Sequence, residues 1–228
     1  MTEPRSSLIV PLMKARVPAE VQLEFPLPPG EEPIRDEFAA DLYVTYALEL
    51  PDEAAAPGRR YEHVARRHCA ELGVPPEDLR RRATINLRNR RPDLSMHWYP
   101  DVRAVTVTLG DGPIGGPPAG ANAAGAGAGA VRRGGLESGL LLDEGFLDKL
   151  AQDVEGDLVV AAPARDVFVA SGTGHPDGVD KLRWAVGQVW SEDRGDAGAD
   201  PAWDAPAGSL LTHRLLVRRE GAWDVLPA

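Results

Sequence analysis

Between Leu42 and Leu50 apolar and polar side chains alternate. Leu42, Val44, Tyr46, Leu48 and Leu50 fall on one face of an extended chain, which predicts a strand over 41–50. The period then changes. Tyr61, Val64, Ala65, His68, Cys69 and Leu72 recur at helical spacing, so 60–72 reads as a helix that Gly73 stops. Prolines at 75 and 76 and the acids Glu77 and Asp78 open a second helix over 75–90, and Pro92 marks its end. Alternation returns over 94–109 as a strand pair turning near Pro100–Asp101.

Beyond 135 the pattern resumes. Residues 135–152 read as helix-rich, with Leu140, Leu141, Phe146, Leu147 and Leu150 as buried positions. DLVVAAP (157–163) and DVFVAS (166–171) read as two buried strands. Residues 176–192 form a helix with an apolar stripe of Val179, Leu182, Val186, Val189 and Trp190. The chain closes with two strands around Glu220–Gly221. Helices alternate with strand pairs, which favours an α+β class with a mixed, largely antiparallel sheet over a doubly wound parallel one.

Composition divides the chain. Residues 110–135, GDGPIGGPPAGANAAGAGAGAVRRGG, carry almost no large side chain, so ordering them would cost backbone entropy for little burial. The organisation expected is an N-terminal α+β half (1–109), a flexible insert (110–135) and a C-terminal α+β half (136–228), together one composite domain. A phosphate-cradling loop is the other use of such glycines. It needs a strand leading in and a Lys-Ser/Thr ending, and GAGAGA has neither.

Charge and cysteine content narrow the function classes. The formal net charge is −10, which argues against nucleic acid and anionic membrane and suits a basic protein partner. Cys69 is the single cysteine, so an intrachain disulfide and a thiolate zinc cage are both excluded. The apolar run LIVPLM (8–13) is broken by Pro11 and is too short for a secretory core, so a cytoplasmic location is expected. His63 and His68 lie about 140° apart around a helix and cannot share an ion. His68 is expected in the core, and neither a metal nor a cofactor is expected.

Three stretches resemble the YtpQ-like family of uncharacterised bacterial proteins. They are EDLRRRATINL with Ala83, Asn86 and Leu87, ESGLLLDEGFLDKL with Ser138 and Leu140–Leu142, and VVAAPARDVFV with Pro163, Arg165 and Asp166. The likeness runs over roughly residues 40–190, with the glycine-rich insert as an addition. It implies a small bacterial α+β domain and supplies no activity. Asn86, Ser138, Arg165 and Asp166 are the candidate binding residues.

Two stretches carry candidate chemistry. In PARD (163–166), Pro163 is expected to end a strand, Asp166 to accept bonds from the turn's amides, and Arg165 to donate to a nearby carboxylate or carbonyl. In SGTGHP (171–176), Ser171 and His175 are the residue types of a nucleophile and its base, which would need an orienting third group. Arg80, Arg81, Arg82, Arg88, Arg90 and Arg91 are expected as a solvated basic surface beside Glu77 and Asp78. Arg194-Gly195-Asp196 is treated as a chance tripeptide. The reading is a non-catalytic interaction or regulatory module, an inhibitor or immunity-type binder of a basic partner, with Trp190, Trp203 and Trp223 as candidate anchors. The rival is a hydrolase or transferase around PARD and SGTGHP, and the sequence leaves both open.

Overall fold

A computed structural model of the chain describes residues 5–16, 28, 30–50, 61–110, 135–191 and 207–227. Most of the glycine-rich insert, the Arg194–Asp196 tripeptide and Trp203 lie outside the described residues. Ten strands and four α-helices follow in order: β1 (Ile9–Ala15), β2 (Arg35–Glu37), β3 (Leu42–Glu49), β4 (Tyr61–His63), α1 (Arg66–Leu72), α2 (Leu79–Arg90), β5 (Leu94–Tyr99), β6 (Ala104–Leu109), α3 (Glu144–Gln152), β7 (Leu158–Ala161), β8 (Val169–Gly172), α4 (Pro176–Trp190), β9 (Leu215–Arg219) and β10 (Ala222–Val225). Every strand pairing among the described residues is antiparallel, and the class is α+β.

The strands form two sheets. In the smaller one β1 takes one edge of β3, while β2 and β4 share the other. The larger has six strands in the order β10-β9-β7-β8-β6-β5. Strands from before and after the glycine-rich insert therefore hydrogen-bond to one another, as β6 does to β8.

Alternation along β7 explains the layering. Leu158 and Val160 join one core cluster, and Val159 and Ala161 join the other. The strand is buried on both faces, so its sequence is apolar without a break. One face of the large sheet meets α4 through Val179, Leu182, Ala185, Val186 and Val189. The other face shares a larger core with the small sheet, α2, α3 and the 3-10 turn Glu137–Leu142. The β9–β10 hairpin turns through Glu220 and Gly221, at φ 50° and 81°, the left-handed pair that matches strand twist in a two-residue hairpin.

Four sequence expectations are corrected. Tyr61–His63 are strand, not helix: they pair with Glu49–Ala47 on an edge of β3. The helix begins only at Arg66, where the Ala65 amide donates to His68 Nδ1 at 3.0 Å. His68 is thus a half-buried cap, not a core residue. Trp190 leaves the apolar stripe of α4 and is 37% exposed. Arg90 and Arg91 are not surface: both are buried and paired with Glu49. Strand β1 had no counterpart in the sequence pattern because Pro11 interrupts it; an edge strand tolerates the missing donor.

Candidate functional site

The PARD turn links β7 to β8 and is held from two sides. Arg165 donates its amide to Ser209 O at 2.9 Å and accepts from the Ser138 amide at 3.0 Å. Leu211 N bonds Pro163 O at 2.8 Å, and Val167 N closes the turn on Ala164 O at 3.2 Å. Ser138, 1% exposed, thus meets Arg165 through its backbone. The Arg165 side chain donates from Nη2 to Gly208 O at 3.2 Å, a carbonyl where the sequence left carboxylate and carbonyl both open. Asp166 departs from expectation: it accepts no turn amide, and Oδ1 is buried without a partner. Gly135 packs so closely on Asp166 that a Cβ there would collide with the Asp166 side chain and backbone.

Ser171 and His175 flank the entry to α4 and serve different partners. Ser171 is fully buried and donates its hydroxyl to Arg103 O at 2.9 Å. Gly178 of α4 sits against that hydroxyl, where any side chain would clash. His175 places Nε2 3.8 Å from Glu155 Oε2. Thr173 Oγ1 accepts from the Asp157 amide at 2.9 Å, and the His175 amide closes on Gly172 O at 3.0 Å. These bonds tie the loop before β7 to the end of β8 and the start of α4.

Asn86 lies elsewhere, 5% exposed on α2. Its amide donates to Ser6 O at 2.8 Å and Ile9 O at 2.9 Å, which uses both amide hydrogens and fastens α2 to the start of β1. The structure brings Arg165 and Ser138 together and keeps Asn86 and the Ser171–His175 pair in separate places. Burial pushes the Cys69 thiol above its ordinary value, so it is not a poised nucleophile. Among the described residues no three His, Cys, Asp or Glu side chains converge as metal ligands would.

A different constellation stands at the edge of the large sheet. Among the described residues strand β5, LSMHWY, forms one edge of this sheet and carries no Asp, Glu, Lys or Arg. His97 and Tyr99 pack edge to face at 4.8 Å. Lys181 of α4 holds its ammonium 5.2 Å from the Tyr99 ring and 3.6 Å from the Trp184 ring. Met96 is 45% and Trp184 44% exposed. Trp184 sits between Leu182 and Val186 in sequence but outside their buried stripe, and that offset was the signal available. Of the expected anchors, Trp223 packs against the core 6.1 Å from Phe38, and Trp190 stacks edgewise on His213 at 5.9 Å.

Fold and surface together define an antiparallel α+β protein with an uncharged sheet edge beside an aromatic cluster. Over 165 residues the chain is 24% identical to UPF0354 protein BH3252 of Halalkalibacterium halodurans, a protein of an uncharacterised family. The match takes in 72% of this chain and 51% of that protein, so the chain spans about half the length of the curated relative it matches. No protein-family model and no solved structure matches it. No helix among the described residues is long and apolar enough to cross a membrane.

Proposed function

We propose that this chain is a non-catalytic, cytoplasmic protein-interaction module of YtpQ-like type that docks a basic partner along β5 and the adjoining face of α4. The observation that carries the reading is the uncharged edge strand, whose Tyr99 meets Lys181 beside the exposed Trp184. Edge strands normally carry a charge, a proline or a bulge that blocks pairing, and none interrupts Leu94–Tyr99. An added strand would gain main-chain bonds there, and exposed aromatic side chains would supply the anchors. Exposed Asp93 and Asp101 bracket the strand, and exposed Asp177 lies in the first turn of α4. With the net charge of −10, these support a basic partner. The lone cysteine supports a reducing compartment. The likeness to a UPF0354 protein and the three motif stretches support the YtpQ-like placement. Against the rival hydrolase reading stands Ser171, whose hydroxyl hydrogen is committed to Arg103 O.

The test compares tagged wild-type chain with Met96→Lys and Trp184→Ala as baits in a lysate of the source cells. The expected result is a basic protein retained by wild type, released by raised salt, and recovered at least about tenfold less on either variant. Equal recovery on all three baits overturns the reading.

A further inference from the structure

Tyr99 ends β5, Trp184 stands on α4, and one cation lies against both rings. The Lys181 ammonium is 3.6 Å from the centre of the Trp184 ring and 5.2 Å from that of Tyr99. His97, two residues earlier on the same side of the strand, meets Tyr99 edge-on at 4.8 Å. Tyr99 also packs on the core cluster beneath α4, so its ring is fixed from two sides. Trp184 is 44% exposed, but its helix neighbours Leu182 and Ala185 are fully buried and hold its backbone in place. A cation set against aromatic rings is the arrangement by which proteins recognise organic cations. Here the cation in place is the chain's own.

Lys181 has a second seat. Asp177, Lys181 and Trp184 follow at i, i+4 and i+7 on one face of α4. An acid four residues before a lysine is the better orientation for a helical ion pair. Asp177 is exposed, and among the described residues no ion pair joins it to Lys181, whose ammonium is on the rings. Asp180 is used differently and lies 2.9 Å from Arg183. The four-carbon stem of Lys181 lets its ammonium exchange the rings for the Asp177 carboxylate one turn away. Both contacts are at the surface, where a ring contact and an ion pair are each weak and similar in strength. The rings are thus covered by a cation that a better one can displace.

We propose that the rings of Tyr99 and Trp184 form a site for an arginine side chain of the docking partner, with Lys181 as the built-in competitor that it displaces. This rests on the reading of β5 and α4 as the docking face, and it names what the basic partner presents there. Arginine suits the site better than lysine. An incoming ammonium exchanges like for like with Lys181, whereas a guanidinium is planar, more weakly hydrated and stacks on aromatic faces. A strand added to β5 would bring its side chains on the α4 side level with His97 and Tyr99, because residues opposite one another in a ladder share a face.

The test titrates acetyl-arginine amide, acetyl-lysine amide with a free ammonium, and acetyl-glutamine amide into the full chain, following the ring resonances of His97, Tyr99 and Trp184. The arginine probe is expected to move them saturably at about 10–100 mM, the lysine probe more weakly, and the glutamine probe not at all. Lys181→Gln, a substitution on an exposed helix face, should tighten arginine about fivefold. In a Trp184→Ala background the same change should have no effect on the Tyr99 and His97 shifts, which separates displacement from a general gain in negative charge. The inference is overturned if Lys181→Gln binds arginine no better than wild type does, if the glutamine probe matches arginine, or if Lys181→Gln tightens binding equally without Trp184. These probes test the rings alone. A chain that binds arginine but retains no basic protein from the lysate keeps the ring site and loses the docking reading, and the opposite pair of results keeps the docking reading and overturns the ring site.

Discussion

Glu49 receives the guanidinium of Arg91 inside the protein, with the two side chains 2% and 3% exposed. Arg90 Nε approaches the other carboxylate oxygen at 3.0 Å. The end of β3 and the end of α2 are thus joined by a buried acid between two buried bases. Removing the acid leaves two desolvated cations facing one another. Glu49→Ala is expected to cost about 3–5 kcal/mol, whereas replacing all three by apolar residues of similar volume should be near neutral. Urea melts of both variants check this, and a single variant as stable as wild type would show that the pair contributes little.

Ser171 donates its hydroxyl hydrogen to a main-chain carbonyl. Its bond to Arg103 O joins β8 to the β5–β6 turn, where Arg103 has φ 52°. Ser171→Ala should cost about 1 kcal/mol of stability. Any esterase, phosphatase or acyl-transfer activity of the purified chain should be the same in the variant. A hydrolytic activity that Ser171→Ala abolishes would identify Ser171 as the nucleophile.

Asp166 behaves differently from its neighbour. Its Oδ1 is buried with no hydrogen-bond partner, beside the close packing of Gly135. An unpaired buried carboxylate oxygen opposes folding, so Asp166→Ala should be neutral or stabilising by up to about 1 kcal/mol. Arg165→Ala gives up the bond to Gly208 O and should be destabilising by a similar amount. Thermal midpoints of the two variants are expected to move in opposite directions; a loss of stability in Asp166→Ala would mean that its carboxylate does cap the turn.

His63 should make stability fall on acidification. Its folded pKa lies below the ordinary 6.5, through partial desolvation and then the charges of Lys14, Arg165 and Arg35. Between that folded value and 6.5 the unfolded chain binds more protons, so stability rises with pH across this window. The contribution is present above 6.5 and is lost as pH falls through the folded value. Denaturant midpoints at pH 5 and pH 8 are expected to differ less in His63→Asn than in wild type. An unchanged difference would remove His63 as the origin of the slope.

Several elements were legible from local pattern alone. The alternation from Leu42 to Leu50, the turn near Pro100–Asp101, the apolar runs of β7 and β8, and the stripe Val179–Leu182–Val186–Val189 all specify their own conformation. In each case the period of burial is written along a single segment, and a turn former ends it. The α+β class follows from their order. The PARD turn was legible as a turn for the same reason, whereas the acceptor of Arg165, Gly208 O, comes from a distant segment.

What distant segments supply was beyond the sequence. Tyr61–His63 share a helical spacing with Val64–Leu72, and only the open edge of β3 makes them a strand. Arg90 and Arg91 read as solvated until Glu49, about forty residues earlier, is brought beneath them. Ser171 and His175 lie four residues apart, yet β8 turns one inward to Arg103 while the loop turns the other toward Glu155. Trp223 is covered because Phe38 meets it, and Trp184 is exposed because Lys181 and Tyr99 gather it at a sheet edge. Sequence by itself determined the local periods and the excess of acid. Tertiary structure decided which strands stand at the sheet edges and which charges are buried, as Glu49, Arg90 and Arg91 are, because strand order and charge placement depend on contacts that no local stretch encodes.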